Sequence, residues 1–317
     1  MRKYTRVELP VYMPEEKRVN VPKVVSTRRP QHKPKLGQHF LASDSFAAQI
    51  VDALGDISQN TVLEIGPGRG VLTSLLVNRV RRLIAVELDR VLAAQLRLRF
   101  GMFSNIEVIE ADILSIDFDS LFGPKPGLRR PGIAFQPEPV KVIGNLPYYI
   151  TSDILLRLFD YSKYFENIVV LVQREVADRI AAKPGSSDYG LLSATAQLYA
   201  RVEKLFTLPP AAFAPPPKVY STALRLTIAP RQHELGLDGD GRSPDSKIKN
   251  GFIDFLKLSF GQKRKTLWNN LKSNYPEPRL RAALAHAGVK PAARAETLTL
   301  EESAALFLAL RDPHNGS

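Results

Sequence analysis

The chain has 317 residues, of which 44% are hydrophobic and 24% charged, so it can bury the cores of about two globular domains. It contains 44 lysines and arginines against 32 acidic residues, and this net charge of +12 favours a polyanionic partner, with nucleic acid ahead of an anionic membrane. Cysteine is absent, which excludes disulfides, thiolate metal sites and a cysteine nucleophile.

Histidine content and hydropathy narrow the function classes further. The five histidines are scattered along the chain, so we expect no metal site. No apolar run reaches the length of a membrane span, and no apolar core of a signal peptide follows the basic N-terminus. We therefore expect a cytoplasmic protein without a membrane partner.

The N-terminal residues 1–34 are rich in proline and in basic side chains. This composition predicts a basic, mostly disordered arm, which could contact RNA phosphates or be an inert extension. Its prolines and its three acids argue against the amphipathic helix of a mitochondrial transit peptide.

The next segment, residues 35–41, reads Lys-Leu-Gly-Gln-His-Phe-Leu and precedes a helix that Ser43 would cap. It could be a packing element or one wall of a ligand pocket, and the local pattern favours packing.

Residues 61–77 predict a strand, a glycine loop and a helix, which together begin a Rossmann-type unit. The strand carries Glu64, and Gly66 and Gly68 in the loop let the backbone approach a ligand closely. A second strand ends at Glu87, roughly twenty residues beyond the loop, where an acid can accept from ribose hydroxyls. Spacing and context indicate a nucleoside-containing cofactor, although Glu87 could instead be a helix N-terminal acid.

Two details favour S-adenosylmethionine over NAD as this cofactor. The loop has the spacing Gly-x-Gly-x-Gly, which differs from the Gly-x-Gly-x-x-Gly of dinucleotide-binding units. A third strand over residues 106–110 is followed by Asp112, which could accept from an adenine amino group or simply cap the next turn. No pyrophosphate has to be neutralised when the cofactor is S-adenosylmethionine.

A further apolar run, residues 140–144, predicts a buried strand that leads into Asn-Leu-Pro-Tyr-Tyr at 145–149. Ligands bind at the carboxyl edge of such sheets. There Asn145 offers an amide, Pro147 a carbonyl without an N–H, and Tyr148 a flat ring on which a base can stack. Such a set suits a planar ring that carries an exocyclic amine. The alternative is a plain turn, since Asn and Pro are common turn formers.

The chain beyond this stretch predicts the end of the sheet. Residues 123–139 are rich in proline and glycine and predict an exposed insertion. Residues 167–173 predict another buried strand, and residues 202–208 and 220–228 a closing antiparallel pair.

The segment Phe-Ala-Pro-Pro-Pro-Lys-Val at 213–219 is predicted to be stiff and extended. It could hold Phe213 over a pocket and direct Lys218 at a phosphate, or it could be a spacer.

Residues 230–248 predict a linker, and residues 249–317 a small helical domain. There Lys263, Arg264 and Lys265 precede a helix, which suits RNA backbone contact, although such runs are often solvated helix faces.

Taken together, these motifs resemble the small-subunit ribosomal RNA adenine N6,N6-dimethyltransferases of the KsgA type. The resemblance extends over residues 35–311, and it places a methyltransferase domain at 35–229. Asn-Leu-Pro-Tyr marks transfer to an amino group, and the C-terminal block points to the ribosomal branch. The motifs are Gly-Gln-His-Phe-Leu at 37–41, Glu-Ile-Gly-Pro-Gly-Arg-Gly at 64–70, Glu87, Ala-Asp at 111–112, Asn-Leu-Pro-Tyr at 145–148, Phe-x-Pro-Pro-Pro-Lys-Val at 213–219 and Gln-Lys-Arg-Lys-Thr-Leu at 262–267.

The resemblance implies an α/β fold, with a Rossmann-like seven-stranded S-adenosylmethionine-dependent methyltransferase domain and a small C-terminal all-α domain. It implies dimethylation of N6 on adenosines, two adjacent ones, in 16S ribosomal RNA during ribosome biogenesis. The implied partner is a pre-assembled small ribosomal subunit, and the implied oligomeric state is a monomer. The implied cofactor-binding residues are Gln38, His39, Leu41, Glu64, Gly66, Gly68, Glu87, Asp112 and Asn145, and the implied RNA-binding residues are Lys218, Lys263, Arg264 and Lys265.

The mechanism expected from these residues is in-line displacement by adenine N6 at the sulfonium methyl. The side-chain oxygen of Asn145 and the carbonyl of Pro147 would accept the two N–H bonds of the amine. Tyr148 would stack on one face of the base and Phe213 would cover the other. Neither a metal nor a catalytic base is required, because the proton can leave to solvent.

Three alternatives remain open at this point. A large-subunit methyltransferase of the antibiotic-resistance type would share the cofactor site and differ in its RNA. A non-catalytic ribosome assembly factor could use the same fold. A nicotinamide dehydrogenase is the third alternative, and titration with S-adenosylmethionine and with NAD would distinguish it from a methyltransferase.

Overall fold

The computed structural model of the protein describes residues 39–124, 137–238 and 246–311. The predicted arm at 1–34, Gln38 and most of the predicted insertion lie outside the described residues. None of the described helices is long and apolar enough to cross a membrane.

Within the described residues, seven strands form one sheet and two form a short ribbon. The strands are β1 Phe40–Leu41, β2 Thr61–Ile65, β3 Arg82–Glu87, β4 Ile106–Glu110, β5 Val140–Asn145, β6 Phe165–Gln173, β7 Ala200–Leu208, β8 Phe213–Ala214 and β9 Ser221–Ile228. The sheet has the order β4-β3-β2-β5-β6-β9-β7. Its first five strands pair in parallel, and β9 runs antiparallel to both β6 and β7. The predicted fold class and the predicted closing pair are confirmed.

Helices cover both faces of the sheet and make up the described C-terminal region. They are α1 Asp44–Asp52, α2 Val71–Leu76, α3 Arg90–Phe100, α4 Phe118–Phe122, α5 Thr151–Asp160, α6 Arg174–Ile180, α7 Leu191–Tyr199, α8 Ser246–Ser259, α9 Leu267–Leu271, α10 Glu277–His286 and α11 Leu300–Arg311. Helix α8 begins inside the predicted linker at 230–248.

Two apolar cores lie on opposite faces of the sheet, because successive side chains of a strand point to opposite faces. In β2, Val62 belongs to the core beneath α1 and α2, whereas Leu63 and Ile65 belong to the core beneath α5 and α7. Strands buried on both faces explain the near-continuous apolar runs in the sequence. Each fully buried leucine or isoleucine contributes about 1.5–3 kcal/mol to folding.

The C-terminal helices share one of these cores with the sheet. The ring of Phe307 in α11 lies 5.4 Å from that of Phe252 and 5.7 Å from that of Phe255, both in α8, and all three join the core beneath α7. The turn before α8 contributes Leu235 and Leu237, which are buried in the same core. The domain boundaries given above stay a prediction.

The two-stranded ribbon was not predicted, and it positions the site. Strand β1 pairs antiparallel with β8, so that Phe40 lies opposite Ala214 and Leu41 opposite Phe213. The N–H of Ala42 donates to the carbonyl of Ala212 at 2.8 Å. The ribbon therefore fastens the segment after residue 38 to the proline-rich segment, beside the carboxyl edge of the sheet.

Candidate active site

A cleft opens at the carboxyl ends of β2, β3, β4 and β5, and most of the predicted site residues line it. The predicted residues found there are His39, Leu41, Glu64, Gly66, Gly68, Glu87, Asp112, Asn145, Pro147 and Tyr148. Gln38 lies outside the described residues. Neither Phe213 nor Lys218 lines the cleft.

The glycine loop forms one wall of the cleft in a conformation that requires glycine. Gly66 and Gly68 have φ angles of 65° and 57°, in the left-handed region that other residues rarely adopt. A Cβ atom on Gly68 would also lie 2.9 Å from the ring of Phe40. The loop thus turns tightly and keeps its backbone open to a ligand.

The carboxylate of Glu87 is buried and held by backbone groups. Its Oε2 accepts from the N–H of Gly68 at 2.9 Å, and its Oε1 accepts from the N–H of Asp89 at 2.9 Å. Asp89 itself caps α3 by accepting from Val91 and Leu92, so Glu87 is not the acid at that helix terminus. Each carboxylate oxygen has a further lone pair, which leaves Glu87 able to accept from ribose hydroxyls.

Glu64 lies at the floor of the cleft and is only 1% exposed. Its Oε2 accepts from the hydroxyl of Thr73 at 2.7 Å, whereas its Oε1 has no partner among the described residues. Burial raises the pKa of Glu64 to about 8, and the charge of Glu87 adds to this rise, while the Thr73 hydroxyl opposes it. A buried carboxylate oxygen without a donor fits a cationic group in the cleft, such as the ammonium of S-adenosylmethionine.

Asp112 caps the next turn, which is one of the two roles that the sequence left open, and it also lines the cleft. Its Oδ1 accepts from the N–H of Leu114 at 2.9 Å and so caps the short helix Ile113–Ser115. Its Oδ2 has no partner within the described part of the chain, and the side chain lines the cleft. One oxygen therefore remains available to an amino group.

The amide of Asn145 has a defined orientation at the opposite end of the cleft. Its Nδ2 donates to the carbonyl of His39 at 2.9 Å. Because a carbonyl can only accept, this contact assigns the nitrogen and leaves Oδ1 as a free acceptor. His39 is fastened in turn, since its ring Nδ1 donates to the carbonyl of Pro215 at 2.8 Å.

The ring of Tyr148 is held from two sides. Its hydroxyl is hydrogen-bonded to that of Ser221 at 2.8 Å, and its ring stacks with that of His39 at a centroid distance of 5.9 Å. Burial raises the pKa of Tyr148, so the phenol stays neutral near pH 7. With His39 on one face, a base can stack on the other.

The carbonyl of Pro147, an acceptor in the expected mechanism, is already hydrogen-bonded within the protein. It already accepts from the Thr151 hydroxyl at 3.0 Å and from the Ile150 N–H at 3.3 Å, which uses both of its lone pairs. The carbonyl of Leu146, beside Asn145, receives no hydrogen bond from the residues described. Leu146 is therefore better placed than Pro147 to accept from a base.

Phe213 also lies elsewhere than expected. Its side chain is 3% exposed and packs in the core beneath α1 and α2, opposite Leu41 in the ribbon. A ring in that position supports the wall of the cleft from behind. A role in covering the target base stays a prediction that requires the ring to become accessible.

Comparison with known proteins decides the family. A family model described as ribosomal RNA adenine dimethylase matches residues 29–312. The chain belongs to this family. The ribosomal RNA small subunit methyltransferase A of Koribacter versatilis is 53% identical to this dimethylase over 293 residues, which cover 92% of this chain and 99% of that protein.

Two solved structures resemble the dimethylase in fold. A dimethyladenosine transferase from Plasmodium falciparum has a TM-score of 0.66 at 23% identity, over 86% of this chain and 96% of that one. The 23S rRNA methyltransferase ErmE has a TM-score of 0.58 at 27% identity, over 86% of this chain and 100% of that one. The predicted family, the enzyme class and S-adenosylmethionine as the cofactor are confirmed.

The predicted RNA-binding residues of the dimethylase lie on its surface, away from the cleft lining. Lys218, Lys263, Arg264 and Lys265 are all exposed. The ammonium of Lys263 donates to the carbonyl of Ser187 in the loop before α7, so this lysine links two parts of the protein. Contact of these four residues with RNA stays a prediction.

Three residues of the dimethylase site were missed by sequence reasoning. Thr73 bonds Glu64, Ser221 holds Tyr148, and Leu146 offers a free carbonyl. No local pattern marks Thr73 or Ser221, because each acts through a partner elsewhere in the chain. Leu146 stands inside the Asn-Leu-Pro-Tyr motif, but its apolar side chain does not indicate that its backbone carbonyl is a free acceptor. In the parts of the chain that are described, no group of three or more His, Asp or Glu residues could hold a metal ion.

Proposed function

We propose that this dimethylase transfers two methyl groups from S-adenosylmethionine to N6 of adenosines in small-subunit ribosomal RNA, in ribosome biogenesis. The observation that carries the proposal is the oriented amide of Asn145, whose oxygen is a free acceptor beside the glycine loop. The Koribacter relative, whose name specifies the small subunit, supports that choice of RNA over the large subunit.

When bound, S-adenosylmethionine supplies a methyl group activated by a sulfonium. The chain's own groups must make adenine N6 nucleophilic, since its lone pair is delocalised into the ring. The Asn145 oxygen and the Leu146 carbonyl accept the two N–H bonds, which favours a pyramidal nitrogen with its lone pair directed at the methyl carbon. Tyr148 stacks on the base and fixes its plane. Positioning of this kind supplies much of the rate acceleration.

The bond from N6 to carbon forms as the bond from carbon to sulfur breaks, and the extra proton on nitrogen leaves to solvent. Monomethylated N6 keeps one N–H, so one of the two acceptors suffices to orient it for the second transfer. The target adenosine must be unpaired or flipped out to reach the cleft.

The test of the function is methyl transfer from labelled S-adenosylmethionine to undermethylated small subunits, with the product nucleoside identified by mass spectrometry. We expect dimethyladenosine confined to the small-subunit RNA. Label on large-subunit RNA would move the protein to the resistance type. Tight binding of cofactor and RNA without transfer would favour an assembly factor.

Glu64 leads to a prediction about protons. In the protein without cofactor, Glu64 has a pKa of about 8 and is mostly protonated at pH 7. A cationic ammonium beside it would lower that pKa. We expect cofactor binding at pH 7 to release close to one proton, seen by calorimetry as a binding enthalpy that depends on the buffer's ionisation enthalpy. Glu64→Gln should abolish this dependence.

The same residue affects stability. In the folded protein the pKa of Glu64 is raised above its ordinary value of 4.5, to about 8. Below pH 4.5 the carboxyl is protonated in the folded and the unfolded protein alike, so it does not lower the free energy of unfolding. Between pH 4.5 and 8 it is ionised only in the unfolded protein, so the free energy of unfolding falls as pH rises. The free protein with Glu64→Gln should therefore gain stability over the wild type as pH rises from 5 to 8. An equal stability difference at both pH values would show that Glu64 is not protonated in the free protein.

Several finer expectations remain part of the proposal. They are the cofactor-binding and RNA-binding roles assigned above residue by residue, a pre-assembled small subunit as the form bound, a monomeric state and a cytoplasmic location. The exposed basic turn that carries Arg264 and Lys265 supports the RNA-binding role of the C-terminal helices.

A further inference from the structure

A small recess lies behind the glycine loop and adjoins the cleft. Its lining consists of Gly68, Arg69, Gln95, Leu96 and Arg99. Gly68 and Arg69 line the cleft as well, so the recess and the cleft share a wall. Two arginines on one recess are an unusual concentration of charge for a surface that has no role in the mechanism above.

Both arginines are positioned by contacts with the protein. The guanidinium of Arg69 lies over the ring of Phe40, 4.6 Å from its centroid. That of Arg99 donates to the carbonyl of Arg69 at 2.9 Å and to the hydroxyl of Ser74 at 3.0 Å. These contacts restrain both side chains, which line the same recess, and leave other N–H groups of both guanidinium groups unused.

No acid neutralises this pair within the described residues. Neither Arg69 nor Arg99 takes part in an ion pair there, whereas Arg79 and Arg97 on the same side of the sheet each pair with a carboxylate. Arginine keeps its charge at every accessible pH. A fixed, uncompensated pair of guanidinium groups is therefore complementary to an anion supplied from outside.

We propose that Arg69 and Arg99 form a binding site for one phosphodiester group of the substrate RNA, next to the cleft that receives the target adenosine. Phosphate is the anion that the forked geometry of arginine matches in two parallel hydrogen bonds. The site rests on the proposed function, because RNA brings its phosphates to the cleft mouth. It positions the strand and adds affinity without touching the reacting atoms.

The test is the salt dependence of RNA binding by Arg69→Gln. Arg69 is exposed and its side chain donates no hydrogen bond within the described structure, so its loss leaves the fold intact. RNA affinity is measured between about 50 and 200 mM KCl, and the slope of log K against log salt should decrease in magnitude by about 0.7–1. The affinity loss should be largest at low salt.

Two further variants make the result specific. Arg79→Gln removes the same charge from a residue paired with Asp52 at 2.7 Å, and it should leave the slope unchanged. Arg69→Lys keeps the charge and loses the fork, so it should keep the slope while weakening binding several-fold. Cofactor affinity of all three variants should stay within about two-fold of the wild type.

The outcomes separate this proposal from the function it rests on. An unchanged slope for Arg69→Gln overturns the phosphate site. So does a loss of cofactor affinity with an unchanged slope, which would assign Arg69 to the cofactor's carboxylate instead. If the wild type itself fails to methylate RNA that it binds, the proposed function fails, while the salt slopes still decide the phosphate site.

Discussion

Asn145→Ala should lower kcat for methyl transfer by on the order of 10²–10³-fold, the usual cost of removing one preorganised polar group from a transition state. In the proposed mechanism, the substitution removes the acceptor that orients adenine N6. The Nδ2 contact with the carbonyl of His39 is lost too, but backbone pairing of Phe40 and Leu41 in the ribbon still holds that segment. Cofactor and RNA dissociation constants should therefore change by only a few-fold, and single-turnover transfer under saturating conditions measures the effect.

A matched control exists on the same sheet. Asn167 lies near the start of β6, at the edge away from the cleft, and among the residues that the structure describes its amide donates only to the neighbouring Glu166. Asn167→Ala should keep normal turnover. Near-normal turnover in Asn145→Ala, with both substrates bound, would refute the role given to the amide.

Glu87→Ala should raise the dissociation constant for S-adenosylmethionine by on the order of 10²-fold or more. Hydrogen bonds to a charged acceptor are worth about 1.5–3 kcal/mol each, and Glu87 makes one to Gly68 and one to Asp89 in addition to those it offers to a ribose. Removing the carboxylate takes away the acceptor that holds the N–H of Gly68 and, in the proposed function, the acceptors for the ribose hydroxyls. Isothermal titration calorimetry measures the change.

Two companion variants distinguish these contributions. Glu87→Gln keeps one side-chain oxygen as an acceptor, and its cofactor affinity should lie between those of the wild type and Glu87→Ala. Glu110→Ala removes a carboxylate from the next strand at the same edge, where Glu110 pairs with Arg97 at 3.5 Å outside the cleft. It should leave cofactor affinity unchanged, and an equal loss in both alanine variants would show that Glu87 has no specific role.

Much of the fold could be predicted from local sequence, for a definite physical reason. A strand buried on both faces is mostly apolar, and β2, β3 and β5 are so apart from Glu64, Lys141 and their terminal residues. Their positions therefore follow from the sequence alone. Parallel strands bring their carboxyl ends to one edge. Local patterns therefore suffice to place Glu64, Glu87, Asp112 and Asn145 around one cleft.

The details of the site depend on contacts between residues far apart in the chain, which local patterns do not encode. Pairing of β1 with β8 carries His39 to Asn145, and only that contact determines which atom of the amide faces the cleft. The same ribbon buries Phe213. Thr151, the first residue of the next helix, donates to the Pro147 carbonyl, and for this reason the proposed mechanism assigns the acceptor role to Leu146.

The sequence by itself determined the class of fold and the kind of cofactor, because periodicity, glycine spacing and the acids at strand ends are local and follow from backbone geometry. The family followed from the resemblance of its motifs to those of known methyltransferases. Only the tertiary structure decided which hydrogen-bond acceptors of the site, such as Asn145 Oδ1 and the Leu146 carbonyl, have no partner among the described residues. It also showed that Lys263 binds Ser187 and that Arg69 and Arg99 share a recess without an acid. Hydrogen-bond saturation and charge compensation are properties of three-dimensional neighbours, so they become visible only when the chain is folded.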